Sequence, residues 1–149
     1  RELLAFQPQR RGTDIKLALD TVNHILKRRG IIFLVSDFMA DPDSYRTALA
    51  VTNRRHDLIA VDLHDPLERT LGNVGLLAME DPESGEIVWV DTGSKAWRAA
   101  FQQRMDGQRS AATRAMRHAG VDRIAVATNQ DYVAPLMAFF QERYRRIRH

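Results

Sequence analysis

The sequence predicts a three-layer α/β fold, with a parallel sheet, crossover helices and one inserted antiparallel hairpin, lacking its first strands. Three observations carry that expectation. Short apolar runs at 31–36, 57–63 and 123–128 alternate with segments of helical periodicity, joined by brief turns. The alternation is interrupted by two strand-like runs around "DPESG", residues 81–85, where Pro82 and Gly85 suit a tight reversal. The 149 residues, 44% hydrophobic and 28% charged, suffice for one core and are too apolar for a disordered chain.

Residues 1–11, "RELLAFQPQRR", read as the tail of an upstream element followed by a basic linker, with the domain proper at 12–149. Ile15, Leu19, Val22, Ile25 and Leu26 recur at helical spacing, with Ala18 on the same face. Thr13 is the expected N-cap of that helix and Gly30 its C′ stop. "IIFLVS", residues 31–36, opens with five apolar residues in succession and reads as a strand buried on both faces. Residues 43–54 place Tyr45, Ala48, Leu49 and Thr52 on one face of a second helix, with Asn53 near its end. "DLIAVDL", residues 57–63, is the next strand. "GLLAME" (75–80) and "EIVWVD" (86–91) pair as the hairpin. Ser94 opens a long helix with the stripe Trp97, Phe101, Met105, Ala112, Ala115, Met116 and Ala119, closed by Gly120. "RIAVAT", residues 123–128, is a third parallel-type strand. The last helix, about 132–147, is expected to bury Val133, Leu136, Met137, Phe140 and Tyr144, with Pro135 in its first turn.

Several function classes are disfavoured. The chain has no cysteine, so neither a disulfide frame nor a thiolate metal site can form. His24, His56, His64, His118 and His149 show no zinc spacing, and His56 reads as a structural residue at a helix end. Ser36 lacks the G-x-S-x-G setting of a hydrolase nucleophile, and no G-x-G-x-x-G or Walker motif occurs. No apolar run approaches the roughly 20 residues that cross a bilayer. Net charge is only +3, and a sequence pI near 9.7 reflects arginine in excess of lysine, which is poor evidence for nucleic acid. The arginine pairs at 10–11, 28–29 and 54–55 and the closing "RYRRIRH" could form a phosphate-binding surface, but without an aromatic platform they read better as solvated helix faces. The first residue is Arg1, not Met, so the chain reads as a piece of something longer, whose upstream part holds some of any site.

In parallel α/β sheets, ligands collect beyond the carboxyl ends of the strands, where Ser36, Asp37, Asp62, Asp65 and Thr128 should gather. Thr13 and Asp37 offer a hydroxyl and a carboxylate, hard donors that suit Mg²⁺ or Mn²⁺. By residue type alone a helix cap and a turn cap account for the same two side chains better. In "LHDPLERTL", residues 63–71, Asp65 and Glu68 could serve acid–base work, or form an Asp-Pro turn with Glu68 paired to Arg69. A wider acidic set, Asp14, Asp37, Asp62, Asp65 and Asp131, would suit a metal-dependent nuclease-like enzyme. Asp14 and Asp131 also stand at helix starts, where a carboxylate already suits the dipole.

Together, "GTDIKLALD", "FLVSDFMADPD", "RRHDLIAVDLHDPLERTL", "GLLAMEDPESGEIVWVDT" and "FFQERYRR" resemble the bacterial domain-of-unknown-function family fifty-eight, from Gly12 onward. That family looks like a divergent, Rossmann-like von Willebrand factor A domain. The resemblance implies a metal-ion-dependent adhesion site in which Thr13 of "GTDI" matches the second loop and Asp37 of "VSDF" the third. The Asp-x-Ser-x-Ser first loop is absent here, so the implied Mg²⁺ or Mn²⁺ site is incomplete, with Ser36, Asp65 and Glu68 as neighbours. The expected function is a non-enzymatic protein-interaction module, divalent-cation dependent when complete, working with a MoxR-type AAA ATPase. The expected setting is cytoplasmic, tethered to a membrane through upstream segments in some relatives. The implied strand order leaves 31–36 at an open edge, which invites a homodimer.

Overall fold

The computed structural model describes residues 13–66, 71–80 and 85–148. In chain order they form α1 (Ile15–Ile25), β1 (Ile31–Ser36), α2 (Pro42–Arg55), β2 (Asp57–His64), β3 (Leu76–Glu80), β4 (Ile87–Asp91), α3 (Lys95–His118), β5 (Asp122–Ala127) and α4 (Val133–Arg148). The parallel sheet runs β1-β2-β5, with Ile31 opposite Asp57 and Ile59 opposite Asp122. β3 and β4 form a separate antiparallel pair, Leu76 opposite Asp91. The expected mixture of a parallel sheet and an antiparallel hairpin is thus what the chain adopts.

Alternation along β2 divides the core. Leu58 and Ala60 face Ile15, Leu19, Tyr45, Leu49 and Met116, whereas Ile59 and Val61 face Ile124, Val126, Leu136 and Phe139. The crossovers β1-α2-β2 and β2-α3-β5 step in the same direction across the sheet. Their shared right-handedness therefore puts α2 and α3 on one face. α1 joins them, and α4 packs on the other. Polar side chains tie the helical layer: buried Asn23 donates to Thr52 Oγ1 (2.7 Å), and half-buried Asn53 donates from Nδ2 to Gly120 O (2.8 Å).

Several sequence expectations need correction. Asp14 rather than Thr13 caps α1, its Oδ1 accepting from Leu17 N–H at 2.8 Å. That helix stops at Ile25 because Leu26 turns extended, so Gly30 is not its stop. Gly30 instead leads into β1, where its carbonyl accepts from Asp57 N–H. His56 is the C-cap of α2, as expected of a helix-end residue, and its Nδ1 accepts from Gly30 N–H.

β1 is not buried on both faces: Ile31, Phe33 and Val35 are 65, 47 and 55% exposed. Among the described residues it is an edge strand, and α4 lies over β2 and β5. α4 correspondingly turns Leu136 and Phe139 to the sheet and leaves Val133, Met137, Phe140 and Tyr144 exposed, against expectation. Its apolar stripe is wider than the sheet surface available to it.

α3 buries only Ala112 and Met116 of its expected stripe. A 24-residue helix is about 36 Å long against roughly 20 Å for a six-residue strand, so its first half overhangs the sheet. There Trp97 and Phe101 stack on each other at 5.3 Å. Gly107, at the middle of α3, is exposed, and a Cβ there would meet nothing within 4 Å. Gly107→Ala is expected to raise stability by about 0.5–1 kcal/mol, read as a shift in urea midpoint at unchanged slope.

Candidate functional site

The carboxyl ends of β1 and β2 meet the amino ends of α1 and α2 at one rim. The placement follows from connectivity. Ile25 is joined by five residues to the start of β1, so the start of α1, about 16 Å away along the helix, lies toward the other end of the sheet. Thr13 and Asp37 therefore share this rim, and Thr13 is exposed.

The turn after β1 is built by local hydrogen bonds. Ser36 Oγ accepts from Phe38 N–H (3.1 Å) and donates to Asp37 Oδ1 (3.4 Å), which also accepts from Met39 N–H (3.1 Å). These bonds hold Phe38 at φ +54, a left-handed conformation that disfavours a bulky side chain. The turn drives the Phe38 ring into the core, 6.3 Å from the ring of Tyr45. Asp41 then caps α2, accepting from Asp43 N–H (3.0 Å), and Gln108 of α3 donates to Met39 O (2.6 Å). Asp37 is thus first of all a turn-forming residue.

Beneath the rim lies a cluster that the sequence reading did not assemble. Asp62, 2% exposed, follows Leu58 and Ala60 onto the face covered by α2 and α3. Its Oδ2 accepts from Arg123 Nε (2.9 Å) and Nη2, and its Oδ1 lies 3.5 Å from Arg109 Nη2. Those two arginine side chains are only 28 and 23% exposed. The hydroxyl of Tyr45 and Nδ1 of His64 are buried without a hydrogen-bond partner among the described residues. Burial pushes the Tyr45 phenol up to about 12, helped by the carboxylates of Asp41, Asp62 and Asp37. A signal for the cluster was present: a carboxylate on the inward face of an apolar strand calls for a cation, and "RIAVA" supplies one in the neighbouring strand.

A cavity of about 30 Å³ opens here between Asp37, His64, Asp65, Asp106 and Arg109, room for about one water. A larger cleft, about 670 Å³, lies between α2 and α3, lined among others by Arg46, Arg54 and His118. Of the wider acidic set, Asp14 caps α1, Asp131 accepts from Val133 N–H (3.0 Å) at the start of α4, and Asp62 is held by arginines. Glu68 and Arg69 lie outside the described residues, as do residues 1–11. Among the described residues no group of three or more histidine or carboxylate side chains is placed to hold a metal ion. Thr13 and Asp37 offer two side chains with three oxygens between them where Mg²⁺ takes six ligands, so the residues described do not fit a complete cation site. Titration of this chain with Mg²⁺ is accordingly expected to show no binding tighter than millimolar. Calorimetry giving a micromolar constant would contradict that expectation. No helix among the described residues is long and apolar enough to cross a membrane.

Comparison with known proteins agrees with the resemblance drawn from the sequence. The "Uncharacterized protein Rv1480" of Mycobacterium tuberculosis is 28% identical over 132 residues, covering 89% of this chain and 41% of the relative. The "Uncharacterized protein Mb1516" of Mycobacterium bovis matches to the same extent. The "Uncharacterized protein MAV169" of Mycobacterium avium is 26% identical over 132 residues, 89% of this chain and 77% of the relative. The chain thus spans about two fifths of the length of the first two. No solved structure matches it. A family model described as "Protein of unknown function DUF58" matches residues 1–111, including the first eleven residues and ending within α3. The chain belongs to that family.

Proposed function

We propose that this chain is a non-enzymatic protein-interaction module of von Willebrand A-like fold, docking through the open edge of β1 and the apolar face beside it. One observation carries the reading. The exposed Ile31, Phe33 and Val35 run on into exposed Met137 and Phe140 of α4, with the Phe33 and Phe140 rings 6.2 Å apart. Edge strands of monomers are normally blunted by lysine, proline or a bulge, and "IIFLVS" carries neither residue. In the chain by itself the occupant is a second copy, since two uncharged edges can pair antiparallel about a two-fold axis.

The resemblance supplies the rest of the proposal: a MoxR-type AAA ATPase as partner, a cytoplasmic setting, and cation dependence only where further ligands join Thr13 and Asp37. Light scattering tests the docking surface. A dimer is expected for the native chain and a monomer for Val35→Lys, which sets a charge in the apolar face. Mn²⁺-stimulated cleavage of labelled RNA or DNA by this chain, lost in Asp37→Ala, would contradict the non-enzymatic reading.

A further inference from the structure

The opposite edge of the sheet is built differently. β5 pairs with β2 and has no strand on its other side among the described residues. Thr128 N–H donates back to His64 O (2.9 Å), so the alternation of a strand turns the N–H groups of Arg123, Ala125 and Ala127 outward. Beside this edge, a groove of about 530 Å³ runs between α3 and the start of β5. Arg109, Ser110, Thr113, Arg114, Arg117 and Arg123 line it, with Asp106 at the rim.

These arginines fall into two kinds. Arg109 and Arg123 are mostly buried and anchored on Asp62, so their guanidinium groups are held in place and keep donors to spare. Arg114 and Arg117 are exposed, and their guanidinium groups have no ion-pair or hydrogen-bond partner among the described residues. Four guanidinium groups against the carboxylates of Asp62 and Asp106 leave the groove positive.

We propose that this groove and the free edge of β5 together bind an extended acidic segment of a partner protein. The open N–H groups accept a peptide backbone as an added strand, and side chains on alternate residues of that strand reach the arginines. A polypeptide fits better than nucleic acid, because the edge of β5 offers backbone N–H groups for an added strand and no aromatic ring lines the groove to stack a base. The surface is separate from the β1 edge and does not depend on it.

The test uses fluorescence anisotropy at low salt with a labelled peptide of alternating glutamate and valine. Controls are its glutamine-for-glutamate counterpart and a single-stranded DNA of equal charge. The glutamate peptide is expected to bind, with the glutamine peptide weaker by about tenfold or more and added salt loosening the complex. Arg114→Glu with Arg117→Glu is expected to lose about tenfold or more while folding normally, since both side chains are exposed. Amide resonances of Arg123, Ala125 and Ala127 should shift on binding, and Val35→Lys should bind as the native chain does. The proposal is overturned by absence of binding, by equal affinity for the glutamine peptide, by an unaffected double variant, or by tighter binding of the DNA.

Discussion

Asp62→Ala is expected to cost about 3–5 kcal/mol of folding stability, among the largest effects of any single replacement in this chain. The carboxylate sits on the middle strand of the sheet, 2% exposed, with Arg123 and Arg109 closing on it from β5 and α3. Removing it leaves two largely buried guanidinium groups without their counter-ion. The lost partner matters more than the lost attraction, because a buried pair contributes little over an apolar replacement of the same shape. Asp62→Leu combined with Arg123→Met should therefore be milder than Asp62→Ala alone. Urea denaturation of the three proteins decides the matter. A loss below about 1 kcal/mol for Asp62→Ala would mean that the cluster is open to water and does not join the strands as described.

Tyr45 gives the second large effect, and it separates ring from hydroxyl. The side chain is fully buried between Phe38 and the rest of the helical core, so Tyr45→Ala should cost about 3–5 kcal/mol through the cavity it leaves. Its hydroxyl has no hydrogen-bond partner among the described residues, so Tyr45→Phe should stay within about 1 kcal/mol of the native chain or exceed it. The same burial makes stability depend on alkaline pH. The phenol holds its proton to about 12 in the folded chain, against an ordinary value of 10.0. The folded state therefore keeps a proton that the unfolded state releases. The stabilisation is fully present below pH 10 and is lost as pH rises from there through about 12. Urea midpoints measured across that range should fall in the native chain and fall less in Tyr45→Phe. Equal slopes would show that Tyr45 does not titrate late.

What the sequence revealed and what it hid follow from how local each determinant is. α2 could be read nearly residue by residue: Tyr45, Ala48, Leu49 and Thr52 share one helical face, and all four are buried. The strands were equally plain, since apolar runs between turn residues need no distant information. Burial on the second face did need it. "IIFLVS" looks the same whether a helix covers its outer face or not, and only the placement of α4 over β2 and β5 leaves Phe33 exposed. The excess of apolar positions in α4 misled in the same way, because several stripes fit and the sheet selects one. At the rim, Ser36 and Asp37 were visible as strand-end residues, but their hydrogen bonds to Phe38 and Met39 are a matter of backbone geometry. The grip of Arg109 and Arg123 on Asp62 joins three elements far apart in the chain, beyond the reach of periodicity.

The edge of β1, which no other strand covers among the described residues, is the feature on which the interaction reading stands, and sedimentation equilibrium over a wide concentration range addresses it most directly. The chain has a mass of 17.0 kDa. A rise with concentration toward twice that mass, abolished by Val35→Lys, is the expected result. A mass that stays at 17.0 kDa up to the highest concentration reached would contradict it.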